Sequence, residues 1–330
     1  MKILACLFQA AVCLSFAAMV AGLFGKWHFL LDLGSHFRIQ ATVALLGAGF
    51  ALHQLRKYHW SKFSLTAGLV LTLTLLPYFP RPQSEHSPAY RLLTMNVLSS
   101  NLRRDMVTRR IMDTNPDFIA LLETNSEWIE SLESALGERW PYNKSIPRSD
   151  NFGIAVFSKI PFSTCDVIEY KAALATPSIR ATFRLSGGET LRLIAVHPLP
   201  PMNDAYWQSR NSLFEGMASD VSSHDASRTI LTGDLNCTPW SPWFRRLLRD
   251  SSLRNSMNQS GLGISWLPAR IAVLGLPIDH VLVGSRIVSH GRYLGAYAGS
   301  DHRPVIFDFS VNVDGSSAAD GGSEVRGAKH

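Results

Sequence analysis

Residues 229–236 read Thr-Ile-Leu-Thr-Gly-Asp-Leu-Asn. A short β-branched and apolar run that stops at Gly233 and hands over to Asp234 and Asn236 has the form of a buried strand with a carboxylate and an amide at its carboxyl end. The same form recurs outward along the chain. Leu92-Leu93-Thr94-Met95 precedes Asn96, Ile119-Ala120-Leu121-Leu122 precedes Glu123, and Ile194-Ala195-Val196 precedes His197. Two later runs are mirrored: Asp279 stands before His280-Val281-Leu282-Val283, and Asp301 and His302 stand just before the last apolar run. One such end is ordinary, because it is where a chain leaves the core. Several converging would form one polar mouth of carboxylates, amides and two histidines, without a cysteine.

The surrounding pattern is that of an α/β (α+β) domain. Strands are expected at 91–97, 118–123, 151–158, 178–185, 191–197, 229–234, 278–283 and 304–310, and helices at 103–113, 127–136, 205–219 and 243–250, with a hairpin at Ser186-Gly187-Gly188. Oxygen donors with few competing ligands suit a hard cation such as Mg²⁺, which keeps positions open for water and phosphate oxygens; Mn²⁺ fits the same set. A histidine oriented by a carboxylate handles a proton, and amides or a second histidine hold phosphate oxygens as charge develops. No GxSxG, Walker A, HExxH or dinucleotide GxGxxG motif is present.

These residues resemble the endonuclease/exonuclease/phosphatase superfamily, which includes deoxyribonuclease I, apurinic endonucleases and neutral sphingomyelinases. The resemblance covers residues 90–309 and rests on Thr94-Met95-Asn96-Val97, Leu121-Leu122-Glu123, the 153–159 run, Ala195-Val196-His197, Gly233-Asp234-Leu235-Asn236, Pro277-Ile278-Asp279-His280 and Ser300-Asp301-His302-Arg303-Pro304-Val305. It implies a four-layer, two-sheet β-sandwich flanked by helices and a Mg²⁺-dependent phosphohydrolase, most simply a phosphodiesterase. By the same resemblance Glu123 is the principal metal ligand, with Asn96 and Asp301 beside it. Asp234 and Asn236 position the attacking water and the scissile phosphate, His302 held by Asp279 is the base or electrostatic partner, and His197 donates to a phosphate oxygen or leaving group. Leu122 and Leu98 stand where some nuclease members carry glutamine and an acid, which weakens an apurinic-type reading. Trp240 and Trp243 either stack on substrate at the mouth or pack against the helix that follows. The implied substrate is a nucleic acid or phospholipid headgroup, with no obligate protein partner. A non-enzymatic membrane sensor or scaffold on the same fold is the alternative.

The first 80 residues are of another kind. Lys2, Lys26, Arg38, Arg56, Lys57 and Lys62 stand against one acid, Asp32, and supply most of the net +6 of the 330-residue chain. The rest is nearly neutral, so the basic pI does not mark a nucleic-acid-binding surface. Apolar runs at 3–23, 39–55 and 63–79 are expected to be three transmembrane helices of a membrane domain over residues 1–80. The loop Arg56-Lys57-Tyr58-His59-Trp60-Ser61-Lys62 carries three cations and is assigned to the cytoplasm, which makes the chain a multi-pass inner-membrane protein with its catalytic domain periplasmic or extracellular. A cleavable signal peptide is the competing reading of the first run. Residues 81–88 read as a linker, 89–312 as an independently folding domain and 313–330 as a disordered tail. Cys6, Cys13, Cys165 and Cys237 have no metal-type spacing and read as free thiols.

Overall fold

The computed structural model describes residues 1–81 and 88–312. Most of the expected linker and all of the expected tail lie outside the described residues. Two six-stranded mixed sheets pack face to face. In the first, β1 (Tyr90–Asn96) pairs in parallel with β2 (Phe118–Leu122) across α5 (Arg104–Thr114). β2 is followed by α6 (Ser126–Leu136), β3 (Tyr142–Ile146) and β4 (Ile154–Ser158). In the second, β5 (Phe162–Glu169), β6 (Pro177–Arg184) and β7 (Thr190–Ala195) run antiparallel. α7 (Asp204–Ser222) then crosses to β8 (Thr229–Asp234), which is parallel to β7. After α8 (Pro242–Ser251), β9 (Arg254–Asn255) and β10 (Asp279–Val283) complete that sheet, while β11 (Ile287–Leu294) and β12 (Val305–Val311) return to the first.

Strand alternation sorts the side chains into layers. Leu92, Phe118, Ala120, Leu122, Leu193, Ala195, Ile230 and Val281 fill the space between the sheets. Leu93, Ile119 and Leu121 point outward under α5 and α6, and Ile194, Leu231 and Leu282 point outward under α7 and α8. The expected helix-flanked sandwich is present. The strands not anticipated are β3, β5, β9 and β11. β5 shows why: it is an edge strand, mostly exposed, and its sequence FSTCDVIE lacks the apolar run of a central strand.

The N-terminal residues form α1 (Lys2–Leu23), α2 (Phe29–His36), α3 (Arg38–Gln54) and α4 (Tyr58–Leu75). The expectation of three membrane spans is corrected to one. Among the described residues only α1 has the length and apolarity to cross a bilayer, with a mean hydropathy of 2.3. α3 has 17 residues, and α4 opens on Tyr58, His59 and Lys62, which lower its mean. Helix length and composition therefore support neither a multi-pass arrangement nor a side of the membrane for the domain. The short α2 was unanticipated, since Gly34 and Ser35 interrupt its apolar pattern.

α2 ties the helices to the sandwich through a fully buried ion pair. Arg210 Nη2 on α7 donates to Asp32 Oδ2 at 2.6 Å, with both side chains at 0% exposure. Ser241 Oγ and Trp207 Nε1 also donate to that carboxylate, at 2.7 and 3.1 Å. Gln40 Nε2 donates to Gly275 O, and the backbone after α4 pairs with residues 259–261. The four cysteines are free, as expected.

His36, one turn after Asp32, has its imidazole pushed down to about 4 by burial, with Asp32 opposing and Arg210 reinforcing the shift. Burial alone would raise the Asp32 carboxyl, but Arg210, His36 and Ser241 hold it below its ordinary value. Both groups bind protons more weakly folded than unfolded. The stability from His36 is therefore complete above pH ~6.5 and lost as the pH falls toward about 4. Urea unfolding of the full chain at pH 7 and pH 4.5 should differ by about 2–3 kcal/mol from this residue, and His36→Asn should remove that part of the slope. An unchanged slope contradicts the buried neutral imidazole.

Candidate active site

Strand direction gathers the polar residues. β10 is antiparallel to β8 with Asp279 opposite Asp234, so the start of one strand lies beside the end of the other. β12 is antiparallel to β1 with Val305 opposite Thr94, which brings Asp301 and His302 to the end of β1. Asn96, Asp234 and Asp279 continue inward-facing rows of their strands, so the site is the open, polar end of the inter-sheet core. Two backbone departures finish it. Glu123 has φ +61°, which breaks the alternation of β2. Gly233 has φ +146° and lies so close to the neighbouring chain that a Cβ there would sit 1.9 Å from the Val196 carbonyl oxygen.

Asp234, only 2% exposed, is the hub. Its Oδ2 lies 3.6 Å from His302 Nε2 and 3.6 Å from His197 Nε2, and it accepts from Asn96 Nδ2 at 3.2 Å. The same Asn96 Nδ2 donates to Glu123 Oε1 at 2.8 Å, while Leu98 N–H holds Asn96 Oδ1. Asn96 thus bridges the two carboxylates. Asn236 N–H donates to Asp234 Oδ1, and Asn236 Nδ2 donates to Pro198 O and lies 3.5 Å from His197 Nε2. His302 Nδ1 bonds Asp279 Oδ2 at 2.8 Å. Asp301 accepts from Trp266 Nε1 at 2.8 Å. All eight residues expected from the sequence therefore fall at one place. Glu123, Asp234, Asn236, His197, Asp301 and His302 line a cavity of about 630 Å³; buried Asn96 and Asp279 support it from behind.

Burial alone would lower the His302 imidazole, but Asp279 and Asp234 on either side raise it to about 10. Burial would raise the Asp234 carboxyl; His302, His197 and the Asn236 N–H bring it down to about 2. The stable form is an imidazolium clamped between two carboxylates. Ligand atoms of Asp234, Asp279 and His302 lie within 4.8 Å of one another, close enough to suggest a metal triad. Asp279 Oδ2 and His302 Nδ1 already satisfy each other, however, and His302 Nε2 faces Asp234 Oδ2 at 3.6 Å, so these three form one hydrogen bond and an adjoining ion pair. The carboxylates that line the cavity are Glu123, Asp234 and Asp301, oxygen donors of the kind a hard divalent cation takes.

The stacking reading of Trp240 and Trp243 is corrected. Trp240 is 3% exposed and packs edge-on to Tyr78, and Trp243 packs on Trp207 and under Arg246. Neither reaches the cavity, whose aromatic lining includes Phe37, Phe152, Tyr206 and Trp266. Sequence reasoning also missed Leu33, His36 and Phe37, which form part of the cavity wall from the N-terminal helices. The available signal was Asp32, the one acid in the first 80 residues.

A model of the Endonuclease/Exonuclease/phosphatase family matches residues 93–302. Among curated proteins no sequence match is found. An endonuclease/exonuclease/phosphatase from Beutenbergia cavernae superposes with a TM-score of 0.55 at 16% identity, covering 67% of this chain and 71% of that one. A 3′ phosphatase from Neisseria bound to product DNA hairpin gives 0.55 at 22%, covering 67% of this chain and all of the other. Sphingomyelinase C from Streptomyces griseocarneus gives 0.52 at 16%, covering 67% and 99%. At these identities the likeness is one of fold.

The clamp gives a direct expectation. By NMR, the His302 ring should keep its proton until about pH 10, so the stability it contributes is complete below pH ~6.5 and declines as the pH rises toward 10. Asp279→Asn removes the carboxylate bonded to Nδ1 and should lower that midpoint by at least one pH unit, on the order of 1.4 kcal/mol. A midpoint unmoved by Asp279→Asn would show that the pair does not set the imidazole's charge.

Proposed function

The chain belongs to the endonuclease/exonuclease/phosphatase family, and from that premise we propose that it is a metal-dependent phosphohydrolase, most simply a phosphodiesterase, held at a membrane by its N-terminal helices. The observation that carries this reading is the placement of Asp234: a buried carboxylate flanked by two imidazoles and linked through Asn96 to Glu123, at the wall of an open cavity.

Glu123, Asp234 and Asp301 would hold Mg²⁺ or Mn²⁺, with Asn96 fixing the first two; such an ion, when bound, offsets phosphate charge and acidifies water. The remaining steps belong to the chain. Asp234 stays ionised at any physiological pH and accepts a hydrogen from the attacking water, orienting its lone pair toward phosphorus. The His302 imidazolium, with Nδ1 tied to Asp279, presents Nε2–H as a donor where negative charge develops on the phosphate oxygens. His197 and Asn236 lie side by side and serve the opposite flank, as donors to a second phosphate oxygen or the leaving group. The electrostatic role of His302 is thus favoured over the base role.

The membrane reading rests on α1 and on the apolar exterior of its neighbours. Leu7, Leu14 and Leu23 of α1, Val43 and Phe50 of α3, and Leu69, Val70 and Leu73 of α4 are exposed large apolar residues. α1 packs closely on α2, since a Cβ on Gly34 would lie 2.3 Å from Ala18 O, which supports a retained anchor over a cleaved signal sequence. Nucleic acid and phospholipid headgroup both remain substrates of this reading.

The test is hydrolysis by the full chain in detergent or nanodiscs of plasmid DNA, RNA, bis-p-nitrophenyl phosphate, phospholipid vesicles and phosphomonoesters, each with a divalent-cation titration. Glu123→Gln should raise the cation concentration needed for half-maximal activity about tenfold or more. His302→Ala should leave that requirement nearly unchanged and lower kcat by on the order of 10²–10⁴. Near wild-type turnover in His302→Ala contradicts the constellation, and an unaltered cation requirement in Glu123→Gln contradicts its place as ligand.

A further inference from the structure

We propose that α2 is a working part of the active site: Asp32 acting through Arg210, and His36 acting through Thr238, hold the turn that presents Asn236. The inference rests on the hydrolase reading but turns on Asp32 and His36, which lie outside the family-matching segment of residues 93–302.

The turn that follows Asp234 needs holding. Asn236 sits in the left-handed region at φ +47°, which asparagine tolerates better than other residues bearing a Cβ, so what fixes the place of the turn is the set of atoms tied to it. Its backbone is tied at three consecutive residues. Arg210 Nη1 donates to Asn236 O at 3.3 Å, His280 Nε2 to Cys237 O at 2.8 Å, and Thr238 meets His36. Two of these three ties lead to α2. Arg210 makes its bond to Asn236 with one nitrogen and bonds Asp32 with another, while Asn211 Oδ1 holds Nε and Nη2, so the guanidinium plane is fixed on both sides. Without Asp32 this plane would lose the partner that aims it at the turn. Asp32 is held in turn by Ser241 and Trp207, so it is a fixed point.

His36 completes the arrangement from the same helix face, four residues on from Asp32. Thr238 N–H donates to His36 Nδ1 at 3.3 Å and Thr238 Oγ1 lies 2.9 Å from it. Nδ1 is therefore the lone-pair nitrogen. The turn in its turn carries the chemistry: Asn236 N–H bonds Asp234 Oδ1 and the Asn236 amide is set against His197. A displacement at α2 is thereby passed in two bonds to the carboxylate at the centre of the site. Asp32, Arg210 and His36 are positioning residues, and the helical unit does more than tether the domain.

A merely structural ion pair would affect stability alone, so the test separates the two. The full chain is assayed with bis-p-nitrophenyl phosphate, a small substrate, at a temperature well below the measured Tm of each variant. Asp32→Asn should lower kcat about tenfold with KM within about twofold, because a small misplacement of a reacting group is felt in turnover. In an Asn236→Ala background the same substitution should have a smaller further effect, since the part of the route carried by the Asn236 amide is gone and only the backbone N–H to Asp234 remains. The paired variant Asp32→Leu with Arg210→Met removes both buried charges and should keep the fold, yet it should share the loss of kcat. It carries the test if Asp32→Asn does not fold. Wild-type kcat in a folded Asp32→Asn or in the paired variant overturns the proposal, as does an undiminished effect in the Asn236→Ala background. A readout free of turnover distinguishes this from failure of the hydrolase reading: the Asn236 side-chain amide resonance should shift or broaden in Asp32→Asn. If the wild type cleaves no phosphate ester, the hydrolase reading falls, and an unmoved Asn236 resonance overturns the positioning claim by itself.

Discussion

Two buried carboxylates, Asp234 and Asp279, stand opposite each other on adjacent strands and point into the same inter-sheet space. Left as a pair of anions in a medium of low dielectric they would repel strongly, and one would take up a proton. His302 prevents this by lying between them, bonded to Asp279 at Nδ1 and facing Asp234 with Nε2. The fold supplies it there because β12 runs antiparallel to β1 and the Ser300 hydroxyl fixes the approach, donating to Asn96 O and accepting from His302 N–H. The imidazolium thus holds the Asp234 carboxyl down. It leaves Asp234 fully ionised with free oxygen lone pairs toward the cavity, which is the condition for binding a cation or orienting water.

The rest of the site is arranged around that charge. Asn96 spans Asp234 and Glu123 without adding charge, so the two acids stay apart by an amide's width. His197 stands on the opposite side of Asp234 from His302, and its Nδ1 has no partner among the described residues. A cluster of carboxylates with one imidazolium and neutral amides among them is suited to a ligand that carries negative charge and arrives with a metal. The neighbouring cavity wall is of another kind, with Leu33, Phe37, Met202, Leu276 and Ile278 on it. The polar and apolar halves meet at the level of α2.

The central strands and the site were legible because both depend on local signals. Buried strands such as Phe118–Leu122 and Thr229–Asp234 are unbroken apolar runs, and the residues at their ends are polar for reasons of chemistry. The edge strands were not, since β3, with the sequence YNKSI, is exposed along most of its length and reads as a loop. Roles set by long-range pairing were equally hidden. Asp32 and Arg210 are 178 residues apart, and neither belongs to a motif. The apolar runs at the N-terminus showed their helices, but length and polarity admit only α1 as a span. Trp240 and Trp243 admitted both stacking at the mouth and packing on the following helix, and the contacts with Tyr78 and Trp207 decide for packing.

The chemistry of the site depends on whether the carboxylates around Asp234 bind a divalent cation. Crystals of the full chain grown with Mn²⁺ and examined at its absorption edge give the most direct answer. An anomalous peak within bonding distance of Glu123 or Asp234 carboxylate oxygens, on the cavity side and with the His302–Asp279 hydrogen bond intact, is the expected result. A peak held instead by His302 and Asp279, or none near Asp234 at millimolar Mn²⁺, would contradict it.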